Sequence, residues 1–144
     1  MNPEEFHQLV ESKREAQQQV ACHMHVCTGS GCLTAHSDQV KTALTNELKQ
    51  HNLDKTCQVK GVGCMGPCAR GPLVRLEPAG MLYQGVREED APEIVQHLDA
   101  TPVQRLECPA DWPFFTHQVR VVLENCGRID PDRIEDYLVA DGYQ

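Results

Sequence analysis

Apolar and polar positions along the chain already predict its elements. Residues 3–18 place Phe6, Leu9, Val10, the stem of Lys13 and Ala16 at helical spacing. Residues 20–27, VACHMHVC, set Val20, Cys22, Met24 and Val26 on one face, the period of a strand. SDQVKTALTNELKQH then returns to the helical period, with Ser37 as N-cap and Val40, Ala43, Leu44 and Leu48 in one stripe. KTCQVKGVG reads as a second strand. PLVRLEP and MLYQGV read as two short strands of a hairpin that turns at Pro78, Ala79 and Gly80. DAPEIVQHLD predicts a helix with a capping box of Asp90 and Glu93 and an apolar face of Ile94, Val95 and Leu98.

A strand, a crossover helix and a second strand most simply pair in parallel, with right-handed connection. The hairpin then extends the sheet antiparallel. This is an α/β fold on the thioredoxin-like plan: a mixed four-stranded sheet with helices on both faces, an N-terminal helix and a C-terminal extension. The predicted units are an N-terminal helix over 1–19, the sheet domain over 20–100, a linker over 101–118 and a separate tail over 119–144. The stretch 100–118 holds three prolines and no steady period, and should pack through Trp112, Phe114 and Phe115. In the tail, VRVVLENCG predicts a strand or extended segment. IDPDRIEDYLVADGY predicts a short helix with Asp130 at the N-cap, Pro131 at its first position, Gly142 at its end and a staple of Ile129 and Ile134. Val119, Val121, Leu123, Ile129, Ile134, Tyr137 and Leu138 are more apolar surface than one strand and a short helix can hide. The tail is therefore expected to fold back on the sheet domain or to pair with a second copy as a homodimer.

Composition narrows the function. A chain of 144 residues, 40% hydrophobic, can bury one core. A net charge of −8 argues against nucleic acid or an anionic membrane as main partner. Scarce aromatics and a mean hydropathy of −0.46 argue against a base-stacking platform. No apolar run approaches the roughly 18–20 residues of a membrane span. The polar opening MNPEEFHQLVESKREAQQQ is no signal peptide, so the expected setting is cytoplasmic, without membrane insertion. Eight cysteines then call for a reason other than disulfides, and metal binding leads.

Four of them fall into two close pairs. Cys27 and Cys32 form CTGSGC beyond the first strand, and Cys64 and Cys68 form CMGPC beyond the second. In an open α/β sheet, loops at the C-terminal ends of parallel strands build sites. Four thiolates there can bind zinc or an iron–sulfur cluster. Gly29, Gly31, Gly61, Gly63, Gly66 and Gly71 favour the cluster, because they let backbone N–H groups approach sulfur. No second histidine ligand of a Rieske site accompanies His23 or His25, and the close run of a [4Fe-4S] site is absent. One all-cysteine [2Fe-2S] cluster remains the best fit, each near pair clamping one iron. A zinc-stabilised docking module and a thiol-redox enzyme are the alternatives, although neither pair has the C-x-x-C spacing of the latter. Cys22, Cys57, Cys108 and Cys126 read as packing residues. Arg70 either biases the reduced cluster or is merely solvated.

VCTGSGC, GVGCMGPCARGPLVRLEP and YQGVREEDAPEIV together resemble the thioredoxin-like [2Fe-2S] domain of NADH dehydrogenase modules. PFFTHQVRVVLENCGRIDPDRIEDYL resembles the opening of the flavin- and NADH-binding subunit that follows this domain in NAD-linked hydrogenases and formate dehydrogenases. The resemblance spans roughly residues 20–144 and implies that Cys27, Cys32, Cys64 and Cys68 are the cluster ligands. It further implies an electron-transfer domain of an NAD(P)H-dependent oxidoreductase. The expected partners are the flavin/NADH-binding domain and other iron–sulfur subunits. FMN and NAD would belong to the parent subunit, whose glycine-rich segment would lie beyond Gln144. No G-x-G-x-x-G follows a strand here, so this chain alone should not oxidise NADH and should not be catalytic.

Overall fold

The computed structural model describes residues 2–98, 101–109 and 111–143. Met1, Asp99, Ala100, Ala110 and Gln144, which include the outer limits of the units 1–19 and 119–144 and the boundary at residue 100, lie outside the described residues.

Helix α1 (Pro3–Gln18) starts in a capping box in which Asn2 and Glu5 satisfy each other's backbone N–H, with Pro3 at the first position. Strand β1 (Cys22–Cys27) pairs in parallel with β2 (Cys57–Val62) and antiparallel with β3 (Val74–Glu77). The turn at Gly80, whose φ is +67°, leads β3 into β4 (Met81–Tyr83), and the sheet order is β2-β1-β3-β4. Crossover helix α3 (Ser37–Gln50) and helix α4 (Ala91–Gln96) cover one face. There Met24, Val26, Val40, Leu44, Leu48, Cys57, Val74, Leu76, Ile94 and Val95 form a continuous buried core. Each fully buried side chain of this size contributes roughly 1.5–3 kcal/mol.

The strand period sends His23, His25, Gln58 and Lys60 to the opposite face. That face is polar. After the short helix α5 (Pro113–Thr116), α6 (Ile134–Val139) returns to close over it together with α1. Asp136, 2% exposed at its side chain, takes an ion pair from Lys60 at 2.8 Å. It also accepts from Gln17 Nε2 at 3.0 Å and from the Asp130 N–H at 2.9 Å. Leu138 and Val10 are buried. The tail thus folds back on the sheet domain.

Several local expectations are corrected. A five-residue helix, α2 (Ser30–Thr34), precedes α3, and the two meet at His36 in the left-handed region (φ 67°). Ser37 is therefore the first helical residue of α3 rather than its N-cap, and its buried hydroxyl lacks a partner. Asp90 caps no helix with Glu93. A 3-10 turn over 88–90 intervenes, and the Asp90 carboxylate accepts instead from the Arg87 N–H at 2.8 Å and Arg105 at 2.7 Å. Residues 121–129 form turns, not a strand. Their N–H groups bond locally, Cys126 to Leu123 and Ile129 to Asn125, around Gly127 at φ +83°, so no ladder forms. Val119 and Val122 are accordingly exposed. Helix α6 begins at Ile134, with Arg133 at the cap, because Asp130 is held in a turn by Asp132 and Asp136. Ile134 is exposed and forms no staple. Residues 103–108 bond along β4: Gln84 N–H donates to Leu106, and Cys108 N–H to Leu82.

Candidate metal centre

β1 and β2 end side by side, with Cys27 registered against Val62. Thr28 donates to the Val62 carbonyl through both its N–H and its hydroxyl at 2.9 Å, which fixes the departure of the first loop. The chain then enters α2, whose first turn carries Cys32 inward. On the other side, Cys64 follows β2 directly, and a 3-10 turn over 68–70 presents Cys68. The structure therefore brings all four predicted cysteines to one corner of the sheet.

Cys27 and Cys32 are each 1% exposed, whereas Cys64 is half-buried and Cys68 exposed. The sulfurs of Cys64 and Cys68 stand 3.8 Å apart. Two metal–sulfur bonds of about 2.3 Å at a tetrahedral angle span about that distance. Among the described residues no three His, Cys, Asp or Glu side chains gather around a single ion. The two pairs also touch each other, because Cys27 meets Cys64 as well as Cys32.

Close approach requires glycine at two points. A Cβ on Gly31 would stand 3.0 Å from Cys68 Cβ, and one on Gly71 would stand 2.7 Å from Cys32 Sγ. Side chains there would force the two loops apart. The backbone also favours thiolate. N–H groups of Met65 and Gly29 serve Cys27, that of Leu73 serves Cys32, and that of Gly66 serves Cys64. The Cys32 thiol brings its partner Cys27 down to about 6, against the effect of burial. Cys32 itself is pushed up, by sharing its proton with Cys27 and by burial. The pair thus holds one proton between its two sulfurs, and ionising both is disfavoured unless a cation takes that proton's place.

A sequence profile of thioredoxin-like [2Fe-2S] ferredoxins matches residues 12–99. The chain belongs to this family. It is similar to a 2Fe-2S ferredoxin of Clostridium pasteurianum, 30% identical over 95 residues, covering 59% of this chain and 93% of that protein. A 2Fe-2S ferredoxin of Aquifex aeolicus (strain VF5) is 36% identical over 78 residues, covering 52% and 70%. The fold resembles the crystal structure of the wild-type thioredoxin-like [2Fe-2S] ferredoxin from Aquifex aeolicus, with a TM-score of 0.58 and 31% identity over 62% of this chain and 98% of that one. The cofactor is accordingly one [2Fe-2S] cluster and the domain an electron-transfer domain. Four converging thiols, N–H donors aimed at sulfur and glycine-thinned walls fit that group.

Other residues have roles that the sequence did not reveal. Arg70 is exposed but held: its guanidinium lies 4.4 Å over the Trp112 ring and donates to Gln84 Oε1 at 2.7 Å. Trp112 and Phe115 pack on an apolar cluster of Cys27, Cys32, Val62, Met65, Leu73, Leu82 and Cys108. Arg120 donates to the Met65 carbonyl, and Cys126 lies against Gly63. His23 and His25 stay away from the thiols, on the polar seam beside Lys60 and Asp136.

Proposed function

We propose that Cys27, Cys32, Cys64 and Cys68 hold the cluster, Cys27 with Cys32 on one iron and Cys64 with Cys68 on the other. The observation that carries this reading is the convergence of the two pairs, one buried and one facing outward, at the ends of neighbouring strands. The cluster supplies one-electron redox chemistry. The chain's residues place it and exclude water from its inner side through Met65, Leu73 and Val62, while their N–H groups offset charge on sulfur. Exposed Cys68, beside the Arg70–Trp112 stack, makes this the face for electron exchange.

In our reading the domain works in the cytoplasm, within an NAD(P)H-dependent oxidoreductase of the hydrogenase, formate dehydrogenase or NADH dehydrogenase kind. It passes single electrons to or from a flavin site or a neighbouring cluster. Support comes from the resemblance of residues 113–138 to the opening of a flavin- and NADH-binding subunit. Among the described residues no helix is long and apolar enough to cross a membrane. Photoreduced FMN tests the flavin link: it should bleach the cluster's visible absorbance and yield a paramagnetic reduced state. Bleaching by dithionite but not by reduced flavin would overturn it. Cys→Ala variants at the four positions test the ligands through the same absorbance.

A further inference from the structure

At the opposite ends of the same two strands, Cys22 registers directly against Cys57. Both side chains leave the sheet on the α3/α4 face. Neighbouring strands run about 4.8 Å apart, within the roughly 4.4–6.8 Å over which Cα atoms can be bridged by a disulfide. The five steps from Cys22 to Cys27 along β1 cover about 16 Å, so this pair shares nothing with the metal centre. Cys57 is 2% exposed, but Cys22 is only half-buried. Both line an open recess of about 480 Å³ with His51, Leu53, Val95 and Leu98. A pair that served packing alone would need no such opening. The Cys57 thiol, beside Cys22, also brings the Cys22 thiol below its ordinary range, while Cys22 and then burial push Cys57 up. The more accessible sulfur is thus the better nucleophile.

We propose that Cys22 and Cys57 form a second redox site, a dithiol that closes to a disulfide by exchange with a small-molecule disulfide of the glutathione class admitted by this recess. The Cys22 thiolate attacks one sulfur of the small disulfide. That S–S bond breaks, and the leaving thiolate takes a proton. Cys57 gives its proton to solvent and attacks Cys22 Sγ, expelling the second small thiol. Two protein thiols are oxidised, and one disulfide is reduced to two thiols, a two-electron exchange.

The test uses the cluster-loaded full chain, incubated with oxidised glutathione, alkylated and analysed by mass spectrometry. The expected product is lighter by two hydrogen atoms before alkylation, with the Cys22 and Cys57 peptides joined, full reversal by dithiothreitol and unchanged visible absorbance. Cys57→Ser should halt at a glutathione adduct on Cys22. Should that variant not fold, Cys22→Ser should leave Cys57 alkylatable. Full alkylation of Cys22 after oxidation would overturn the proposal. So would a stable adduct on Cys22 in the unmodified chain, or thiol loss that tracks bleaching of the cluster.

Discussion

The N-terminal ends of β1 and β2 hold thiols within the hydrogen-bonded frame, whereas their C-terminal ends release thiols into loops. At the first end, Cys22 N–H donates to Thr56 and Cys57 N–H to Leu53, so most of the backbone is engaged, and apart from the Gln58 N–H at Cys57 the sulfurs are left to side chains and to each other. At the second, glycine-rich loops leave N–H groups of Gly29, Met65 and Gly66 to face sulfur. On our proposal the same side chain, at the two ends of the same two strands, is thus a metal ligand at one end and a half-buried thiol pair at the other. The difference lies in what the backbone has left to offer. Whether sulfur binds metal depends less on cysteine itself than on loops able to approach without a Cβ and to stabilise negative charge.

The largest effect should separate the ends outright. Replacing Cys27, Cys32, Cys64 or Cys68 by Ala should abolish or severely reduce the cluster's visible absorbance, and Cys22→Ala or Cys57→Ala should retain it. Bleaching by Cys57→Ala but not Cys68→Ala would erase the distinction.

A strong effect is also expected from Gly71→Val, whose Cβ would stand 2.7 Å from Cys32 Sγ. Cluster content per chain should fall several-fold, while Gly80→Ala, at a turn with open space around it, should leave content intact. Iron and sulfide analysis reads both, and equal loading of the two variants would refute the steric role of Gly71.

The polar seam beneath the tail tests stability apart from the metal. Asp136→Ala leaves the largely buried Lys60 without its partner, which should cost roughly 3 kcal/mol in urea unfolding at unchanged cluster content in buffer. A midpoint that does not move would mean that the tail contributes no stability through this pair.

The smallest effect concerns acid. Burial, with help from the Lys60 ammonium, holds His23 below its ordinary range. As pH falls through about 6.5 the unfolded chain takes up this proton first, so the contribution, fully present above that pH, is lost as pH drops toward the lower folded value. His23→Gln should flatten this acid loss, seen as a smaller difference in urea midpoint between neutral and mildly acidic buffer. An identical pH slope in both proteins would exclude His23 as its source.

Local periodicity by itself determined the strand and helix order, the hairpin turn at Gly80 and the two cysteine pairs. Alternation of apolar side chains is a property of neighbours along the chain, and each element must bury its own stripe. The pairs were legible for the same reason, because short loops keep their members together whatever else the fold does. Helix α2 was not legible, since five residues with a glycine among them carry no period. The turns at 121–129 were hidden beneath an apolar run that reads as strand until one asks where a ladder would form. Tertiary structure alone decided which distant groups meet. Register set Cys22 against Cys57, the return of the tail gave Lys60 its carboxylate, and the packing of Trp112 beside Phe115 brought its ring to Arg70. Such contacts join positions dozens of residues apart, and only the closed sheet and its crossovers bring them within reach.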